Sequence, residues 1–255
     1  MRQCAFCEAR SVKLSAEHVW GEWISELLGR RETRQEHRHN GVLKRWESLG
    51  GSLSTKVVCK KCNETWMSDI EAQMKSSFSQ AIREGASLSI LFRGVCLLAT
   101  FAFEKAVVTD YLHLKDTPFF TPAVRYRFRQ SLDIPDGIQI WLAAYAGRAP
   151  YRLYFARHSE FDVHSGGDLE LLPFTYVAGH LVIHLVAIKW KDKLSTRPVP
   201  RVESDASLDS ATVQFWPPDG FPVSWPPPQY FDDSTITTFA ERFDNDVLLV
   251  RHGKL

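Results

Sequence analysis

Four cysteines constrain this chain more than any other feature. They fall in two C-x-x-C pairs, Cys4/Cys7 in "CAFC" and Cys59/Cys62 in "CKKC". Two residues between cysteines let the backbone turn around one ion with both sulfurs on the same side, and two such knuckles complete a closed tetrahedral thiolate site. A redox motif needs one pair only and leaves the other unexplained. Disulfides are disfavoured because the start, MRQCAFCEAR, shows no apolar signal segment. The spacing therefore predicts one structural Zn2+ per chain. Such an ion pins residues 4–7 against residues 59–62 and closes a loop of about fifty residues, turning binding free energy into folding free energy.

Inside that loop stands "SAEHVWGEW", residues 15–23, and Asn63 follows the last cysteine. The clip can thus bring Glu17, His18 and Asn63 together although they are far apart in sequence. C-x-x-C, then an acid-His pair followed by Val, then C-x-x-C-Asn opening a helix, resembles the zinc-stabilised HNH endonucleases, nucleases of the ββα-metal class. The resemblance covers roughly residues 1–80. It implies that His18 is the general base and that Glu17 and Asn63 hold a catalytic divalent cation, Mg2+ or Mn2+. It also implies a nucleic acid substrate, with DNA ahead of RNA. Three positions depart from the family pattern. Glu17 stands where Asp is usual, Gly21 replaces a proline, and Ser54 and Thr55 fall where an asparagine orients the histidine.

The residue types suit phosphodiester hydrolysis. An unperturbed imidazole titrates near neutral pH and can take a proton from water, while a hard cation neutralises charge gathering on phosphoryl oxygens. Zinc held by four thiolates cannot do this, because its coordination shell is full. The bland alternative is that Ser15, Glu17, His18 and Asn63 only cap helices. The module would then be a catalytically silent, zinc-stabilised binder of nucleic acid or protein.

Net charge is +1 overall, which neither favours nor excludes a polyanion partner, but the charge is uneven. From Gly29 to Arg45 there are six Lys/Arg against two Glu, and Arg30, Arg31, Arg34 and Arg38 are candidate contacts to a phosphate backbone. His37 and His39 read as part of this solvated basic loop. The most apolar run, Leu88–Val108, is broken by Arg93, Glu104 and Lys105. A bilayer span needs about 20 nearly uncharged residues, so this run predicts a core helix, no membrane partner and a cytoplasmic protein.

The remaining pattern predicts helices over 19–28, 63–84, 87–110 and from Thr121–Pro122 onward. Met67, Ile70, Met74, Phe78 and Ile82 recur at helical spacing and Gly85 supplies a stop. From Ile138 the chain predicts strands at 138–145, 151–157, 174–178, 181–190 and 212–216, separated by Gly- and Pro-rich turns. The fold class is therefore α+β: a zinc-knuckle module over 1–85 and an α+β domain with an antiparallel sheet over 86–255. The second part carries no catalytic motif, and its role as a dimer contact or a dock for a regulatory partner stays open. Residues 191–211 read as an exposed loop, and "FWPPDGFPVSWPPPQYF" as an arm packed on its own sheet.

Overall fold

A computed structural model describes residues 3–10, 12–29, 32–39, 42–49, 51–112, 117–162, 166–192, 198–202, 210–245 and 250–251. No described helix is long and apolar enough to cross a membrane. Helices and strands are mixed along the chain, and the α+β expectation holds.

The amino-terminal part runs β1 (Leu14–His18), α1 (Glu22–Leu28), β2 (Glu32–His39), β3 (Val42–Leu49) and β4 (Ser54–Cys59). A continuous helical run follows: α2 (Lys60–Cys62), a π-helical segment Asn63–Met67, and α3 (Ser68–Glu84). Strands β1 and β4 pair antiparallel, so a two-stranded sheet leads directly into a long helix. Helix α1 begins at Glu22 rather than residue 19, because β1 carries on to His18.

Next come β5 (Leu88–Ile90), α4 (Phe92–Asp110) and α5 (Pro122–Ser131). The helix expected from residue 87 thus starts later, its first residues forming a short strand instead. Helix α5 starts as the Thr-Pro pair predicts, with the Thr121 hydroxyl accepting from Val124 N–H at 3.4 Å. Helix α4 is buried from Leu98 to Asp110, which explains why its sequence is apolar on every side.

The sheet strands are β6 (Ile138–Tyr145), β7 (Tyr151–Asp162), β8 (Gly167–Ala178) and β9 (Leu181–Trp190). After β10 (Arg201–Val202) come β11 (Thr212–Trp216), β12 (Val223–Trp225) and β13 (Tyr230–Phe231), then α6 (Thr235–Asn245) and β14 (Val250–Arg251). An eight-stranded sheet has the order β11-β6-β9-β8-β7-β2-β3, with β13 also bonded to β6. It is mixed rather than antiparallel throughout, since β2 joins β7 and β13 joins β6 in parallel. Both faces are covered. Ile140, Leu142 and Ala144 pack toward α4 and the knuckles, while Trp141, Ala143 and Tyr145 pack with α6. Burial on both faces explains the unbroken apolar runs of β6 and β9.

Two expectations change most. The basic stretch after Gly29 is not a loop but the hairpin β2–β3, seated on the edge of the large sheet. The division at residue 85 is therefore crossed by strands, and a single core joins knuckle residues such as Phe6 to sheet residues such as Phe174. The Pro-aromatic arm folds back on its own molecule, as the composition suggests: β12 pairs with β5, and the Trp225 indole N–H donates to Ala143 O at 3.0 Å.

The β8–β9 turn also meets the amino-terminal part. Gly179 has φ +55°, and a Cβ there would lie 2.0 Å from Ile82 O, so only glycine lets the turn approach the end of α3. The His180 N–H donates to that same carbonyl at 2.9 Å.

Candidate metal centre

The sulfurs of Cys4, Cys7, Cys59 and Cys62 all lie within 4.8 Å of one another, and none is in a disulfide. Among the described residues they are the one such group of His, Cys, Asp or Glu. The Cys7–Cys59 sulfur separation is 3.8 Å. Four sulfurs about 2.3 Å from a central ion have edges of about 3.8 Å, so the spacing fits tetrahedral thiolate coordination of a metal such as zinc.

Local backbone builds this cradle. Ala5 N–H donates to Val57 O at 2.8 Å, fixing the first knuckle along β4. Cys59 N–H and Phe6 N–H approach Cys4 Sγ at 3.3 and 3.5 Å. A hydrogen bond from Cys62, with these amides, holds the Cys4 thiol down at about 4, whereas the same contact and burial push Cys62 up. One thiolate among three crowded sulfurs is a site that a cation would complete. Behind it, Phe6 packs against Trp66 with ring centroids 5.1 Å apart. The buried Arg125 guanidinium donates to Ala5 O and Phe120 O, tying α5 to the first knuckle.

Of the three residues singled out by resemblance, Asn63 directly follows the cradle, while Glu17 and His18 lie at the other end of the β1–β4 pair from Cys59. Across the β1–β4 pair, His18 faces Ser54 and Glu17 faces Thr55. His18 and Ser54 are exposed, while Glu17 and Thr55 are buried, as alternation along a strand requires. The imidazole and the carboxylate thus leave β1 on opposite faces. Asn63 opens the π-helical segment, where Thr65 departs from helical geometry. Its Nδ2 donates to Ser15 Oγ and Ala16 O, both at 3.2 Å, so the amide ties the helix start to β1.

Glu17 has a partner that no motif announces. Lys105 Nζ lies 2.8 Å from Glu17 Oε1, 2.9 Å from Glu71 Oε1 and 3.2 Å from the His18 carbonyl. All three ammonium protons are thereby used. Lys105 is 1% exposed. Burial pulls its ammonium down, but the carboxylates of Glu104, Glu17 and Glu71 outweigh this and hold it above the usual lysine range. Glu104 is fully buried, with its Oε1 3.4 Å from Lys105 Nζ and neither oxygen hydrogen-bonded. Burial pushes its carboxyl up to about 8. The sequence signal for this cluster was the break that Glu104–Lys105 makes in an otherwise apolar run. That break argued against a membrane span, and it also marks a buried ion network.

Among the described residues no donor reaches Glu17 Oε2 or Asn63 Oδ1. These are the donor types a hard divalent cation takes. Of the basic residues, Arg30 and Arg31 lie outside the described residues. Arg34 and Arg38 sit on β2, in register with Arg152 and Ala156 of β7, and their side chains lie outside the described residues.

No protein-family model, curated protein or solved structure matches the chain.

Proposed function

We propose that the knuckle region is a zinc-clipped, metal-dependent endonuclease module of the HNH kind, hydrolysing phosphodiester bonds of nucleic acid, DNA ahead of RNA. One observation carries the reading. The β1–β4 pair runs through Cys59 into a helix whose first turn bears Asn63, with His18 in cross-strand register with the position of the family's orienting residue. Zn2+ in the four-cysteine cradle is scaffold. A divalent cation, Mg2+ or Mn2+, supplies neutralisation of phosphoryl charge.

In this reading His18, exposed on its strand, takes a proton from the attacking water. Ser54 across the strand offers the one side chain in register to steady the imidazole. Glu17 Oε2 and Asn63 Oδ1 are the cation's protein ligands, each carried by a side chain whose other polar atom is already held. Alternation sets imidazole and carboxylate on opposite faces of β1, so this reading requires the substrate phosphate to sit at the end of the strand pair, where His18 and a cation held by Glu17 can both reach it. Such a protein would act on nucleic acid in the cytoplasm.

A second reading is favoured by the Glu17–Lys105 pair. There the ammonium is the only cation Glu17 needs, and the module binds nucleic acid or protein without cutting. Plasmid nicking with Mg2+ or Mn2+ separates the two. For the nuclease, wild type nicks, His18→Ala does not, and zinc stays at one per chain in both. Absence of metal-dependent nicking in wild type, or equal nicking in the variant, selects the silent module.

A further inference from the structure

We infer that helix α4 completes this site, with Lys105 as a positioning residue that grips Glu17 by one oxygen and leaves the other for the divalent cation. The inference rests on the nuclease reading.

The geometry has four parts. First, Lys105 touches both halves of the module: Glu17 and the His18 carbonyl on β1, and Glu71 on α3. Second, the grip is one-sided, since among the described residues only Oε1 of Glu17 is taken. Third, the ammonium cannot act on substrate itself, because its side chain is 1% exposed. Fourth, Gly21 lies against the cluster: a Cβ there would stand 2.5 Å from Glu71 Oε1, the end of that side chain.

Charge explains why such a grip matters. Without Lys105, Glu17 would face Glu71 and Glu104 with no cation between them, and like charges so placed push the side chains apart. With Lys105 present, the Glu17 carboxylate is held in one rotamer by its Oε1. Partners that orient a ligand commonly change metal affinity by about 10- to 100-fold when lost. The opposite role is equally specific: an ammonium competing for the carboxylate would be a lock, and removing it would tighten the cation.

The test is Mn2+ binding to the full-length chain, read by electron paramagnetic resonance, with zinc content and circular dichroism on the same samples. Glu17→Gln is expected to lose Mn2+ while keeping zinc at one per chain. Lys105→Met is expected to weaken Mn2+ binding about tenfold or more, and Lys105→Arg to restore much of it. Wild type that binds no Mn2+ through Glu17 sinks the nuclease reading and this inference together. Binding that needs Glu17 but is unchanged or tighter in Lys105→Met overturns this inference alone. If Lys105→Met does not fold, Glu71→Gln, at the partly exposed end of the same grip, carries the test. It is expected to weaken Mn2+ severalfold, and unchanged affinity overturns the inference.

Discussion

His184 illustrates how far a single buried group can set the response of this chain to pH. Its ring is fully enclosed on β9, edge-on to Phe239 at 4.7 Å, with Nδ1 2.8 Å from Thr175 Oγ1. Burial alone holds the imidazole down at about 3, against an ordinary 6.5. The folded chain therefore binds fewer protons here than the unfolded chain. This contribution is complete above about 6.5 and is lost as pH falls toward 3. Asp110 works the other way, because burial raises its carboxyl to about 6, so its contribution is lost as pH rises through that value. A comparison with His184→Gln isolates the first effect. Between pH 7 and 5, wild type should lose about 2 kcal/mol of unfolding free energy that the variant keeps, as measured by urea titration. Parallel losses in both proteins would refute it.

At the scale of elements, the knuckles and the helices were legible and the buried ion network was not. C-x-x-C spacing reports local backbone geometry directly, so Cys4, Cys7, Cys59 and Cys62 could be placed from sequence alone. The Ile70, Met74, Phe78 stripe likewise reported the inward side of α3. Lys105 could be read only as an interruption, because its partners come from residues 17 and 71, and no periodicity encodes a pairing across 88 positions. In sequence the hairpin β2–β3 reads as a basic loop for a related reason. Its polar, charged sequence lacks the apolar alternation that announces a half-buried strand, and pairing with β7 decides its form instead. These elements meet at the four-cysteine cradle. Cys59→Ser should lower zinc from one per chain to none and separate β1 from β4. Structural zinc sites in small modules are worth about 10 kcal/mol or more. The near-ultraviolet signal of the packed Trp20 and Trp66 should collapse in step with metal loss, and a zinc-free variant with native signal would contradict this.

For the whole molecule, the amino-terminal part is not a bead on a string. The Trp20 indole N–H donates to Val177 O at 2.9 Å, and its ring stacks on Tyr176 with centroids 5.8 Å apart. Tyr151 donates through its hydroxyl to Gly29 O at 2.8 Å. Residues 1–85 expressed alone should therefore stay largely unfolded even with excess zinc, giving narrow amide dispersion by nuclear magnetic resonance. A well-dispersed spectrum of that fragment would show the boundary to be real. The end of the knuckle-and-helix pattern near Gly85 suggests such a boundary, but sequence patterns do not reveal which faces share a core.

The seating of β2–β3 on the large sheet has a consequence for ancestry. A module that exports a hairpin from between its own two paired strands into a neighbour's sheet cannot be exchanged between genes as a cassette. A crossover at residue 85 would deliver a sheet missing its edge and a hairpin with nothing to lie on. Lineages carrying this architecture should inherit both parts together, and variation should enter within β2–β3 rather than at the join.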